Sequence, residues 1–352
     1  MMKRISILLL CCTALAASCA RQGSPVLTDP VDYVNPLTGT ASSYQLSTGN
    51  TYPAIAMPWG MNFWTPQTGR NGDGWTYTYS ATRIRGLKQT HQPSPWINDY
   101  GAFSIMPVTS SPVYDEEGRQ SWFSHKAETA KPYYYKVYLA DHDVVAELAP
   151  TERAAAFRFT YPEKDISFLV VDAYEGGSIE VSKDRNMVTG CSSFNHGGVA
   201  EGFRNWFVVV SDTPFEMVTI DGSIAMVGFR TTKGQQVNLR VASSFISPEQ
   251  AELNLEELGG RTLDEVAEAG RARWNEVLGR IKAEDPDIDN LRTFYSCLYR
   301  SLLFPRDLSE TDAAGERVHR SLSRVVRHVP HRLLVVEHGP RIRKQLEKLY
   351  KW

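Results

Sequence analysis

From Val31 to about Pro248 the chain runs as short apolar stretches broken by turn residues. Tyr134 to Leu139, Val144 to Leu148, Phe157 to Phe159, Ile166 to Val171 and Ile224 to Phe229 have strand length. Val237-Asn238-Leu239-Arg240-Val241 alternates strictly, the period of a strand with one face buried. Trp206 to Val210 is continuous, as a strand buried on both faces reads. Strands at this spacing, with no helical period between them, predict a mainly β fold, a large antiparallel β-sandwich over 31–250. Within it, Gly49 to Gly101 is dense in Pro, Gly and Trp and reads as loops carried on that scaffold.

The pattern changes at Ser247-Pro248. Thr262-Leu263-Asp264-Glu265 has the form of a capping box, and Leu263, Val266, Ala267, Trp274, Val277, Leu278 and Ile281 fall on one helical face. This predicts a helix of roughly twenty residues, ended by Asp285-Pro286-Asp287. A second helix runs through Leu291, Phe294, Leu298 and Leu302 and is stopped by Pro305. Read from the residues alone, the two helices would form a terminal cap on the sandwich.

The amino end reads as a targeting segment. Lys3 and Arg4 precede the apolar run Ile5 to Leu15, which is too short to span a bilayer. Leu15-Ala16-Ala17-Ser18-Cys19 has the form of a bacterial lipoprotein cleavage site, with Cys19 lipidated and 20–30 a tether. Ordinary secretory cleavage a residue or two later is the alternative. Either places the body in the bacterial cell envelope or outside it. Of five cysteines, Cys191 and Cys297 then remain, read as two buried thiols with neither disulfide nor metal spacing.

A net charge of -2 gives no field to recruit nucleic acid or anionic lipid, so membrane contact is expected through the lipid anchor only. The charge is uneven. Ser321 to Trp352 holds five Arg and three Lys against two Glu, which leaves the rest of the chain acidic. No Gly-x-Ser-x-Gly elbow, phosphate loop, paired Cys-x-x-Cys or His-Glu-x-x-His motif occurs.

The candidate chemistry lies in the Gly49–Gly101 stretch. Trp59, Trp64, Trp75 and Trp96 offer apolar faces, and Asn50, Arg70, His91, Asn98 and Asp99 offer directional polar groups. That mixture suits a sugar, with its apolar face and belt of hydroxyls. Gly190 to Gly198 is a second loop with reach, through Asn195 and His196.

Several pieces in order carry a resemblance. They are Asp32-Tyr33-Val34-Asn35-Pro36, Gly39-Thr40, Gly49-Asn50-Thr51-Tyr52-Pro53 and Pro58-Trp59-Gly60-Met61. Then come Arg83-Ile84-Arg85-Gly86, Thr90-His91, Trp96, Asp99-Tyr100-Gly101 and the run Phe294 to Arg306. Together they resemble glycoside hydrolase family 92, from about Asp32 to about His319. The resemblance implies a β-sandwich ahead of an (α/α)6 barrel, with 251–285 a linker helix and 286–319 the first part of that barrel. It implies calcium-dependent, exo-acting α-mannosidases that hydrolyse with inversion, acting on mannose-containing glycans such as N-glycans or mannan.

Inversion needs an acid and a base about 6.5–9.5 Å apart. The family takes both from the barrel, beyond the matched segment, so no catalytic residue is assigned here. What the sandwich offers is part of the sugar site. Trp96 is read as an aromatic wall beside the next sugar, Asp99 as an acceptor or a loop brace, and Arg70 as a forked donor or a surface ion pair. His91 is read more as a structural hydrogen-bonder than a ligand, and Asn50 as a turn residue at the site. Calcium is implied by the family, but no acidic cluster here has the spacing of a complete metal site. Residues 320–352 are expected to be an aberrant basic tail from a shifted reading frame, which leaves the barrel truncated and its first helix, Phe294 to Leu303, with an uncovered apolar face. A non-catalytic, sugar-binding or inactive sandwich remnant is the alternative to an active hydrolase.

Overall fold

The structure, a computed structural model, describes residues 29–320 except 44, 73–74, 93–98, 110, 197–198 and 201, together with the backbone of 325–327. Two antiparallel sheets form the body. The first has six strands in the order Phe63–Gln67 (β1), Gly86–Thr90 (β2), Phe103–Thr109 (β3), Lys164–Asp172, Ile224–Thr231 and Met217–Asp221. The second has eight, in the order Ser178–Ser182, Met187–Ser192, Asn205–Ser211, Gln235–Ser244, Ala154–Tyr161, Val144–Pro150, Tyr134–Leu139 and Glu128–Lys131. Side chains of both sheets meet in one apolar core that includes Trp64, Phe103, Phe157, Leu169, Phe207 and Val241.

The sandwich follows from the strand patterns. Val237, Leu239 and Val241 are buried while Asn238 and Arg240 are exposed, so the alternating stretch is a half-buried strand. In the continuous stretch, Phe207 and Val209 enter the core between the sheets, and Val208 packs on the opposite face against Leu263 and Val266. Both faces are therefore covered.

The reading of Gly49 to Gly101 as all loop is corrected, because β1 and β2 lie inside it. The proline in β1 misled that reading. Trp64 exchanges both backbone hydrogen bonds with Ile55 on the outer side of β1. Pro66, two residues on, turns its nitrogen the same way, so the β1–β2 ladder loses no donor.

Three helices follow: α1 (Pro248–Asn254), α2 (Leu263–Leu278) and α3 (Ile288–Ser301). Ser247 caps α1, accepting from the Gln250 N–H at 3.1 Å, with Pro248 at the first helical position. The capping box of α2 is present in both directions: Glu265 N–H donates to the Thr262 hydroxyl, and Glu265 Oε2 accepts from Thr262 N–H at 2.8 Å. The helix has 16 residues and stops at Gly279, short of the expected end. Ile281 lies beyond it and is exposed. Asp285-Pro286-Asp287 serves the next helix instead, where Asp287 caps α3 by accepting from Asp289 N–H at 2.9 Å.

The helices join the sandwich through a second core, in which Trp274, Leu278, Tyr295, Tyr299 and Leu303 pack with Val31, Tyr52 and Phe63. Trp274 Nε1 donates to the Ala56 carbonyl at 2.9 Å, and the Tyr299 hydroxyl donates to that of Ala54. Gly270 permits the approach of α2, since a Cβ there would lie 2.8 Å from Tyr133 Cβ.

Part of α3 departs from expectation: Tyr295, Tyr299 and Leu303 are covered, and the exposed apolar residues are Phe294 and Phe304. Cys297 shares that outward side and is exposed, and Cys191 is only half-buried, so neither is the fully buried thiol expected. After α3 the chain forms a small antiparallel sheet of Glu310–Thr311, Arg317–Arg320 and Val325–Arg327, which continues into the stretch read as an aberrant tail.

Candidate sugar-facing corner

Asp99 closes a corner at the end of β2. Its Oδ1 accepts from two backbone N–H groups, His91 at 3.0 Å and Tyr100 at 2.9 Å, and so ties together residues eight apart in sequence. Its Oδ2 lies 3.7 Å from Lys88 Nζ and has no hydrogen-bond partner among the described residues. Lys88 is itself buried. It donates to Asn71 Oδ1 at 3.1 Å and lies over the Tyr174 ring.

His91 is wholly buried behind this clasp. Nδ1 is 2.6 Å from the Tyr100 carbonyl, and Nε2 is 3.2 Å from Asn62 Oδ1. The ring stacks on Tyr100 and meets Phe245 edge-on. Two facing acceptors would suit an imidazolium, but burial, assisted by the nearby Arg306 cation, pushes the pKa down to about 4. The neutral ring therefore prevails at pH 7, with its proton on Nδ1 at the shorter contact.

Arg306 enters the corner from the segment after α3. Nη1 donates to the Met61 carbonyl at 2.7 Å, and Nη2 donates to the Tyr100 hydroxyl. The guanidinium lies over the rings of Phe63, Tyr100 and Phe304, with centroids 5.4 to 5.7 Å away. The Gly190–Gly198 loop joins from the other side. Asn195 Oδ1 accepts from Gly101 N–H at 3.1 Å, and His196 N–H donates to the Asp99 carbonyl at 2.8 Å. Gly101 has φ +59, and a Cβ there would lie 2.7 Å from Asn205 Cβ, so this crossing needs glycine.

His91 and Asp99 thus share one site, each already engaged in holding its loop. Trp96 lies outside the described residues. Arg70 stands elsewhere, on an exposed face, with Nη2 3.0 Å from Glu117. Asn50 lies in an irregular segment that reaches the corner where the Tyr52 hydroxyl, two residues on, donates to the Gln92 carbonyl. Asn50 adopts φ +53, donates its N–H to Ser42 Oγ at 2.8 Å and keeps its Oδ1 buried without a partner among the described residues. Beside it opens a recess of about 410 Å³ lined by Asn35, Leu37, Gly39, Ala41, Leu46, Thr48 and Tyr79. Sequence reasoning did not assign Asn62, Tyr100 or Arg306 a role. Arg306 stood in the quoted Phe294–Arg306 run, but a role that arises from burial against a distant loop has no local signal.

The buried carboxyls are committed. Asp172 is 2.8 Å from Arg119 Nη1, and Glu310 accepts from Phe245 N–H at 3.0 Å and Asn254 Nδ2 at 2.8 Å. Burial raises the pKa of both. Among the described residues no group of three His, Cys, Asp or Glu is placed to hold a metal ion.

Comparison with known proteins decides the family. The model of the glycosyl hydrolase family 92 N-terminal domain matches residues 33–244, and that of the family 92 catalytic domain matches 250–332. The chain belongs to glycosyl hydrolase family 92. The second match starts within α1 and runs past His319, so the family 92 likeness extends further than the motifs that carry the resemblance.

Among solved structures, the chain is similar to a family 92 inverting mannosidase of Bacteroides thetaiotaomicron, 43% identical, with a TM-score of 0.82 over 86% of this chain and 44% of that one. It is also similar to a family 92 α-mannosidase from the same organism in complex with mannoimidazole, 26% identical, with a TM-score of 0.75 over 86% of this chain and 43% of that one. An uncharacterized secreted glycosidase of Arthroderma benhamiae is 22% identical over 79% of this chain and 42% of that protein. The chain spans less than half the length of the relatives it matches.

Proposed function

We propose that this chain is the sandwich and leading helices of an exo-acting α-mannosidase that removes terminal α-linked mannose from glycans with inversion. The observation that carries the proposal is the 43% identity to an inverting mannosidase at a TM-score of 0.82. The His91–Asp99–Tyr100 corner supports a part in sugar binding, because it presents a buried, incompletely bonded carboxylate oxygen beside aromatic rings. Asp99 is the acceptor for sugar hydroxyls, with Trp96, three residues before it in sequence, and Asn50 as further sugar contacts. Arg70, paired with Glu117, stays on the surface.

The acid and base of the reaction belong to the helical domain of the family, outside the residues described here, and calcium is bound there. The chain alone then binds mannosides weakly and does not hydrolyse them. The protein is carried to the cell envelope and anchored through Cys19.

The test is release of mannose from an α-1,2-linked mannobiose, with calcium and with a chelator. It is run for the chain alone and for the chain joined to the helical remainder of the 43% identical relative. Hydrolysis by the joined protein only, lost with the chelator, is expected. Hydrolysis by the chain alone would overturn the assignment of the acid and base to the helical remainder. No hydrolysis by a folded joined protein would overturn the mannosidase reading.

A further inference from the structure

Among the described residues Arg306 is a buried cation without a carboxylate partner. It is 5% exposed, its two recorded hydrogen bonds go to the neutral oxygens of Met61 and Tyr100, and its Nε has no partner among the described residues. A buried charge held only by dipoles and ring faces is costly, and it persists where the surrounding structure over-determines it. Here the chain does so from outside. The Leu302 carbonyl accepts from Trp59 N–H at 3.0 Å, and Asp307 N–H donates to the Trp59 carbonyl at 2.8 Å, so residues 302–307 are clipped at both ends to one sandwich turn. Trp59 sits at φ +57 in that turn. The clip points the Arg306 side chain at Tyr100, whose N–H and that of His91 share Asp99 Oδ1.

We propose that Arg306 is a positioning residue, a latch by which the segment after α3 holds the His91–Tyr100 corner of the sandwich in place. Its functional weight rests on the sugar-facing reading above, but the latch itself does not. The guanidinium fixes the Tyr100 ring by its hydroxyl and by its face, Tyr100 fixes the His91 ring by stacking and by its carbonyl, and Asp99 closes the backbone over both. Sandwich and helical segment are thereby coupled at the site, so that loosening one loosens the other.

The full chain, labelled with nitrogen-15, tests this with three variants: Arg306→Met, Arg306→Lys and Tyr100→Phe. Amide exchange of His91 and Tyr100 is expected to quicken about ten-fold or more in the methionine variant, with Leu169 and Val227 in the distant ladder unchanged. The lysine variant keeps a charge but not the fork. It should quicken exchange at the corner while leaving the titration of His91 near its wild-type midpoint, whereas the methionine variant moves that midpoint upward. Tyr100→Phe removes only the hydroxyl and decides the matter should the arginine variants fail to fold, since corner exchange must still quicken. Unchanged corner exchange, or an acceleration shared equally by Leu169 and Val227, would overturn the latch. Titration of the wild type with methyl α-mannoside is a separate arm: a lack of binding would sink the sugar-facing reading and leave the exchange result to stand by itself.

Discussion

His91 shows how a residue named from sequence acquires its meaning from burial. Thr90-His91-Gln92 favours a structural hydrogen-bonder over a ligand but gives no reason why. Complete enclosure between Tyr100, Phe245 and Asn62 makes it a neutral internal brace. A pH dependence follows. The folded ring titrates at about 4, against 6.5 for the free side chain. Between those values the unfolded chain binds a proton that the folded one refuses, so stability falls as pH drops, by roughly 1.4 kcal/mol per unit at most. Below about pH 4 this contribution levels off. Asp172 and Glu310, raised by burial, slope the opposite way, so the effect must be read as a difference between proteins. Urea unfolding of wild type and His91→Gln at pH 7 and pH 4.5 checks it: the wild type should lose about 2 kcal/mol more than the variant on acidification. Equal losses would mean that His91 is charged in the fold. Asp99, read as brace or acceptor, spends one oxygen as a brace and leaves the other beside Lys88, whereas Arg306 was invisible because nothing local distinguishes a buried arginine from a surface one.

At the scale of elements, legibility tracked how local the determining interaction is. Strands that bury one face showed it by alternation, and α2 showed its start by a capping box four residues wide. Its end was misjudged because Gly279 outweighs an apolar residue that happens to continue the period. β1 was missed because the tolerance for Pro66 depends on which side of the strand faces Ile55, a fact of pairing and not of sequence. The same distinction orders the expected effects of substitution in α2. Thr262→Ala removes the cap alone and should cost about 1 kcal/mol. Trp274→Ala empties a fully buried position between the sandwich and α3 and breaks the bond to the Ala56 carbonyl, for about 3–5 kcal/mol. Thermal unfolding followed by circular dichroism ranks the two. A cap variant as damaging as the core variant would show that α2 is held by its terminus and not by its face.

At the scale of the whole molecule, the helices are an integral part of the sandwich and not a tail upon it. Arg153 ties the turn before Ala154 to Glu257 at 2.6 Å and to the Ser309 carbonyl at 2.6 Å, while Glu310 reaches back to the end of the Gln235–Ser244 strand. The resemblance told which domains to expect. It could not tell that α3 would find cover on one side, because that cover is built from Val31, Tyr52 and Phe63, scattered through the chain. What stays open is the other side. Phe294 and Phe304 are more than a third exposed and Leu298 and Leu302 half-buried, an apolar stripe that water meets directly. The protein made from this sequence should therefore associate with itself as concentration rises. Phe294→Glu places a charge in that stripe and removes little beyond an edge contact with Tyr295. Sedimentation should give a mass that grows with concentration for the wild type and stays monomeric for the variant, with unchanged far-ultraviolet dichroism. A wild type that remains monomeric throughout would mean that the stripe is covered in solution, and the open side of α3 would have to be redrawn.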